Sequence, residues 1–272
     1  MRKIQLYTGL ALIALVIAAG LVSLVWTPFD PIRVTADRLL DPGWPHLLGT
    51  DAMGIDIISR LLIGARYCLI VGIISVSLAA IAGVPMGVLA GLSGARSGWV
   101  DEVVMRVNDV VYAFPALLLA MLLAAVAGAS TVTAMVAIGV ATIPAFARVA
   151  RAATLEVAAS DFVLAARAAG TTKWSIAVRH VFPNIAPVVG VQASVGFAMA
   201  ILAEAALSYL GLGTPRGTPT WGGMLRDAQD VWYTQPVQAL WPGLAIALAV
   251  LGFNLLGDGL RDVLDPRLRE VR

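Results

Sequence analysis

Charge is what this chain has least of. Only 13% of its 272 residues are Asp, Glu, Lys or Arg, whereas 59% are hydrophobic and the mean hydropathy is +0.86. A water-soluble globule carries about 25% charged residues, so this scarcity excludes one and points to an integral membrane protein. Cysteine is sparser still. Cys68 stands alone, which excludes an intrachain disulfide. Two histidines, His46 and His180, cannot build a histidine-rich metal site, so no metal is expected. No Gly-x-x-x-x-Gly-Lys-Ser/Thr loop is present to cradle a phosphate, and no acid/base pair is placed in a dry site. No catalytic residue is therefore assigned, and the chain is expected to bind no cofactor of its own. The net charge of +2 is too small to suggest a nucleic-acid partner.

What the chain does have is a series of long apolar runs. Arg2 and Lys3 precede an uncharged stretch over residues 4–26, long enough to cross about 30 Å of hydrocarbon at roughly 1.5 Å per residue. This is the first expected span. A cleaved signal peptide would have a shorter apolar region followed by a small-x-small site. Residues 27–66 are polar and proline-rich and belong outside the bilayer. Their apolar stretch IISRLLIGA is a candidate amphipathic helix on the outer face. Five more spans are expected, near residues 68–92, 103–127, 131–150, 185–212 and 237–257. In the second, Gly83, Gly87 and Gly91 recur every four residues, which lets helix backbones approach closely and places that span inside a bundle. The expected fold is thus all-α, with six transmembrane helices.

Orientation follows from the basic residues. Of 19 Lys and Arg, six lie on one side (Arg33, Arg38, Arg60, Arg66, Arg216 and Arg226) and the remaining 13 on the other. The positive-inside rule puts the richer side, with both termini, in the cytoplasm. Trp26, Trp44, Trp221, Trp232 and Trp241 then gather at the outer side, as an interfacial aromatic belt would. Arg106 and Asp109 read as an i, i+3 pair at the cytoplasmic edge of the third span.

One interruption is unlike the others. Residues 156–184, EVAASDFVLAARAAGTTKWSIAVRHVFPN, are polar and charged between two apolar runs, and their periodicity gives two short helices. On the first, Ala158, Phe162, Ala165, Ala166 and Ala169 share a small apolar stripe opposite Glu156 and Arg167. Gly170 can take the positive φ that closes a helix, and Thr171 or Thr172 can cap the next one. On the second, Trp174, Val178, Val181 and Phe182 share a face, and Pro183 is expected to end it. A helical hairpin of this kind suits a groove on another protein.

Ala165, Ala166 and Gly170, with Pro183 thirteen residues further on, resemble the cytoplasmic "EAA" loop of ATP-binding-cassette importer permeases. Leu164 stands where that motif carries Glu, and His180 and Phe182 replace its Ile and Leu. Other stretches resemble the dipeptide, oligopeptide and nickel branch of the family. They include HLLGTD at residues 46–51 followed by Gly54, Asp56, Ser59 and Arg60; LSYLGLG at 207–213; Trp221-Gly222; Trp241-Pro242-Gly243; and NLLGDGLRDVLDPR at 254–267. Together they run nearly the length of the chain.

The resemblance implies a type I importer permease core formed by spans two to six, with span one added. It divides the chain into residues 1–66, a permease domain over 67–258 and a cytoplasmic tail over 259–272. It also implies partners: a second permease subunit, two ATPases that hold the ATP and Mg, a substrate-binding protein outside, and membrane lipid, all at a bacterial inner membrane. Ala165, Ala166, Arg167, Gly170 and Pro183 are the expected ATPase-coupling residues. Glu204, an intramembrane carboxylate beside Ser208 and Tyr209, is a candidate for the substrate path or for a structural hydrogen bond. Asp51, Asp56 and Arg60 are candidates for contact with the binding protein, or for turns and caps within their own loop. The expected cargo is a di- or oligopeptide, with nickel as the alternative. An ion-coupled transporter would want several buried carboxylates and an inverted repeat. A scaffold that carries nothing is the remaining alternative.

Overall fold

The computed structural model describes residues 2–93, 98–215 and 217–264, without the side chains of Arg2, Lys3 and Leu264. Arg96, Arg216 and the tail from Asp265 onward lie outside the described residues. Ten α-helices follow in order: α1 Arg2–Val25, α2 Ile57–Ser93, α3 Gly98–Ala113, α4 Ala116–Ala127, α5 Thr131–Ala158, α6 Asp161–Ala168, α7 Lys173–Ile176, α8 Phe182–Tyr209, α9 Trp221–Gln229 and α10 Val237–Leu264. A π-helical turn, Ala177–Val181, joins α7 to α8. The architecture is all-helical and membrane-spanning. Among the described residues five helices are long and apolar enough to cross a bilayer, or six if α3 and α4, bent by 82° at their junction, count as one broken span.

Two expectations about the spans are corrected. The stretch IISRLLIGA is no separate surface helix; it is the first part of α2, which runs unbroken for 37 residues. The third span is likewise not one rod. Pro115 supplies no N–H to continue a helix from α3, and the residue before a proline is pushed toward extended backbone, so the chain turns at Phe114.

Inside a bilayer apolar contact alone brings little, because lipid is as apolar as leucine; close backbone packing does the joining. The central pair α2 and α5 shows it. A Cβ on Gly83 would meet the Ile143 carbonyl oxygen at 2.7 Å, and one on Gly91 would meet Thr154 Cγ2 at 2.7 Å. The expected glycine stripe is therefore the seat of α5. Phe146, Ala147 and Ala150 fill it and are buried. α1 leans on α10, where a Cβ on Gly9 would strike the Leu256 backbone nitrogen at 2.7 Å.

At the end of the bundle opposite α6 and α7, residues 27–56 and α9 form a cap. Trp221 is not part of an aromatic belt. It is 4% exposed, its ring lies over Gly64, and its indole N–H donates to the Leu61 carbonyl at 3.0 Å. Trp241 is also drawn inward, packed beside the core of α1, α8 and α10. Trp26, Trp44 and Trp232 remain exposed.

Candidate functional site

The polar interruption folds as a hairpin with two unlike faces. α6 closes through the backbone: Gly170 N–H donates to the Arg167 carbonyl at 3.0 Å and Thr171 N–H reaches the Ala166 carbonyl at 3.1 Å. That bond pair, with Gly170 at φ +80°, is the Schellman closure, which favours glycine because an L side chain is strained there. Thr172 then caps α7, its hydroxyl accepting from Ser175 N–H at 3.3 Å. The break thus falls where the sequence placed it.

The end of the hairpin differs from expectation. Pro183 does not stop the helix; it sits in the first turn of α8, and the chain runs helically from Lys173 to Tyr209. A proline ring collides with the carbonyl four residues back and cannot donate to it. The helix accommodates that by widening to the π turn at Ala177–Val181, immediately before Pro183. The hairpin is consequently continuous with α8 on one side and only two residues from α5 on the other.

Its inner face is anchored. Val163, Ile176 and Val181 are 0–2% exposed and pack with Val84, Val88, Phe146, Ala150 and Ile185 of α2, α5 and α8. Outside the hydrocarbon such burial is driven by water, at roughly 1.5–3 kcal/mol per side chain. The outer face carries Phe162, Leu164, Val178 and Phe182, each about half exposed, and Trp174, which is 77% exposed. Ala165, Arg167 and Gly170 are exposed beside them, while Ala166 is half-buried. Among the expected coupling residues, then, all but Ala166 lie open. The sequence stripe was right about Phe162 and Ala165. It missed Val163 as the anchor, and Val181 belongs with the anchors and not with Trp174.

Ion pairs tie α3, the first half of the bent pair, to α5. Asp101 takes both Nε and Nη2 of Arg151 at 2.5 Å. Arg148 donates to Asp109 at 2.7 Å and lies 4.0 Å over the Tyr112 ring. Arg106 pairs with Glu102 at 2.7 Å, so the expected Arg106–Asp109 pair is replaced by one pair along α3 and one across to α5.

Glu204 and Ser208 are brought together. The Ser208 hydroxyl donates to Glu204 Oε1 at 2.7 Å, and each residue is only 4% exposed. Tyr209 points elsewhere, its hydroxyl 3.0 Å from Gln229 Oε1 of α9.

Asp51, Asp56 and Arg60 lie beneath the cap surface, 5%, 2% and 7% exposed. Asp51 Oδ1 accepts from the N–H groups of Met53 and Ile55 at 2.8 and 2.9 Å, and its Oδ2 receives Arg60 Nη1. Asp56 Oδ2 caps α2 through Ser59 N–H and hydroxyl at 2.8 Å each, and its Oδ1 lies 3.0 Å from His46 Nδ1. Arg60 Nη2 reaches across to Asp227 of α9 at 2.7 Å. These three residues hold the cap together as turns, caps and a cross-link. Asp227 as the second carboxylate had no signal in the sequence, because it lies 167 positions away. Among the described residues no group of three His, Cys, Asp or Glu could hold a metal ion.

A model of the family described as "Binding-protein-dependent transport system inner membrane component" matches residues 83–270. The chain is 43% identical over 234 residues to the glutathione transport system permease protein GsiD of Pectobacterium atrosepticum, covering 86% of this chain and 77% of that one. It is 40% identical over 275 residues to the di/tripeptide transport system permease protein DppC of Pseudomonas aeruginosa, covering 97% and 88%. Among solved structures, an inward-facing MetNI methionine ABC transporter matches with a TM-score of 0.60 at 19% identity, covering 78% of this chain and 96% of that one. A likeness at that identity concerns the fold.

Proposed function

Because the chain belongs to the binding-protein-dependent transport system inner membrane components, and is thus a multi-pass inner-membrane permease, we propose that it forms half the pathway of an ATP-driven importer of di- or oligopeptides. The other half is a second permease, two ATPases sit on the cytoplasmic side, and a substrate-binding protein delivers cargo from outside. ATP and Mg stay in the ATPases, and this chain does no chemistry on its cargo. The peptide reading is supported by the glutathione, di/tripeptide and dipeptide permeases it is similar to.

The observation that carries the coupling role is the two-faced hairpin. Val163, Ile176 and Val181 seat it on three spans, and α5 and α8 continue from its two arms. Phe162, Leu164, Ala165 and Trp174 offer the ATPase an apolar contact face, with Arg167 and the Gly170 turn beside it. When two ATPases close, a handle that is stiffly joined to α5 and α8 tilts both spans, and the bundle passes from inward-open to outward-open. Glu204 and Ser208 lie on α8 and come within reach of the path only in that movement. At the cap, Trp44, Trp232 and Tyr233 stand 90%, 52% and 99% exposed and are among the residues open to a binding protein. Asp51, Asp56 and Arg60 support that face from beneath.

Two experiments test this. A Thr172→Cys variant is expected to react with a membrane-impermeant maleimide in inside-out vesicles and not in intact cells, Cys68 being buried. Labelling in intact cells would put the handle on the wrong side. In a Gly170→Trp variant, co-purification of the ATPase and peptide uptake should both fall; retention of both would remove the docking role.

A further inference from the structure

A lateral cavity of about 490 Å³ opens between α1 and the rest of the bundle, with walls of Ile17 and Leu21 from α1, Leu69 and Ile73 from α2, and Phe197 and Phe253 from α8 and α10. Its lining is apolar throughout; Arg66 of α2, the one charged residue there, meets the cavity with its aliphatic stem and carries its guanidinium beyond the wall. Arg60, Arg106, Arg148 and Arg151 each hold a carboxylate. Arg66 does not: among the described residues its guanidinium has only the Tyr67 ring, 5.6 Å away.

An arginine on a membrane helix is costly unless it finds a counter-charge or the headgroup layer. The register of α1 says which is at hand. A Cβ on Gly20 would meet Arg66 Cα at 3.4 Å, and Gly20 lies five residues before the end of α1 at Val25, about 7.5 Å along the axis. A guanidinium on a flexible stem reaches the headgroup layer from that depth. Phosphate is the anion found there, and its oxygens match the planar fork of arginine. Below Arg66 the walls are hydrocarbon only. The groove opens sideways from the bundle, with Leu24 61% and Ile73 57% exposed along it. An acyl chain, itself all hydrocarbon, matches those walls and is narrow enough to enter.

We propose that this groove is a phospholipid site: the phosphate of one lipid sits on Arg66 and an acyl chain lies between α1 and α2, against Phe197. The lipid would fill the seam between α1 and the other spans and fix their relative position. The site depends on the chain spanning a bilayer and not on what it transports.

The complete transporter is reconstituted into vesicles of phosphatidylethanolamine and phosphatidylglycerol that carry a diazirine-bearing acyl chain. Irradiation is expected to label the peptides holding Ile17 and Ile73, and native mass spectrometry after detergent extraction to find phospholipid retained on this chain. Arg66→Gln should lower that retention about fivefold, the scale of one arginine's attraction to an anionic headgroup. Ile73→Trp fills the groove from an exposed position and should abolish acyl labelling at Ile17. Equal retention and labelling in wild type and both variants would overturn the proposal. A benzoylphenylalanine at Ile17 that cross-links to a protein subunit instead of lipid would overturn it too. ATPase co-purification and peptide uptake are scored in parallel, so a failure of the lipid site is read separately from a failure of the importer assignment.

Discussion

The cap and the hairpin stand at opposite ends of α2 and are built by opposite means. In the cap, Arg60 is clamped between Asp51 and Asp227 and Asp56 closes the first turn of α2; Asp51, Asp56 and Arg60 lie below 10% exposure, while Asp227 is 36% exposed. In the hairpin, Val163, Ile176 and Val181 do the anchoring with no charge involved, and the opposite face is left apolar and open. The difference separates a support from a contact. A buried pair specifies one arrangement of loop, α2 and α9, since moving any of them strands a charge. An aliphatic anchor holds through area, and the surface left bare is available to a partner.

The comparison is broken most severely by Arg60→Ala. It leaves two carboxylates facing each other without their cation, and the loss is expected to be about 3–5 kcal/mol. Thermal unfolding of the purified complex measures it, and an unchanged melting temperature would show that the cap does not rest on charge. Next comes Ile176→Ala, at about 2–4 kcal/mol from transfer and cavity terms together. The hairpin should loosen and uptake fall while the cap stays protected; hydrogen exchange at the two ends distinguishes them, and equal loosening of both would refute their independence. Trp174→Ala sharpens the distinction from the other side. Stability should change by less than about 0.5 kcal/mol, yet ATPase affinity should drop about tenfold if this ring is an interface anchor; titration of the ATPase into the reconstituted permease reads it. Comparable in size, but falling on the turn's stability, is Gly170→Ala. No neighbour lies within 4 Å of its added carbon, so only the φ of +80° resists it, at roughly 1–2 kcal/mol. A stability change near zero would mean that the turn tolerates side chains.

Much of the hairpin was legible before any coordinates. Its break at Gly170, a cap at Thr171 or Thr172 and a shared face for Phe162 and Ala165 all come from local rules of helix ends and periodicity; the fold uses Thr172 and leaves Phe162 and Ala165 exposed. Pro183 taken alone implies a helix end, and that is not what the fold shows. With Lys173–Ile176 already helical and α8 packed beyond it, a π turn is less costly than ending the helix. Asp51, Asp56 and Arg60 looked available on a polar loop, and nothing local reveals that Asp227 waits on α9 to bury them. The broken third span is an intermediate case: Pro115 marks the place, and only packing sets the 82° angle.

The sequence by itself determined the class of molecule, the glycine stripe that lets another helix come close and the position of the hairpin. Each depends on composition or on spacing within one helix. Only the tertiary structure decided which face of the hairpin is anchored, which arginines find carboxylates, and that Arg66 finds none. Those outcomes depend on what lies across the bundle, and the pairing of residues scores of positions apart is set by how whole helices pack, which no local pattern encodes.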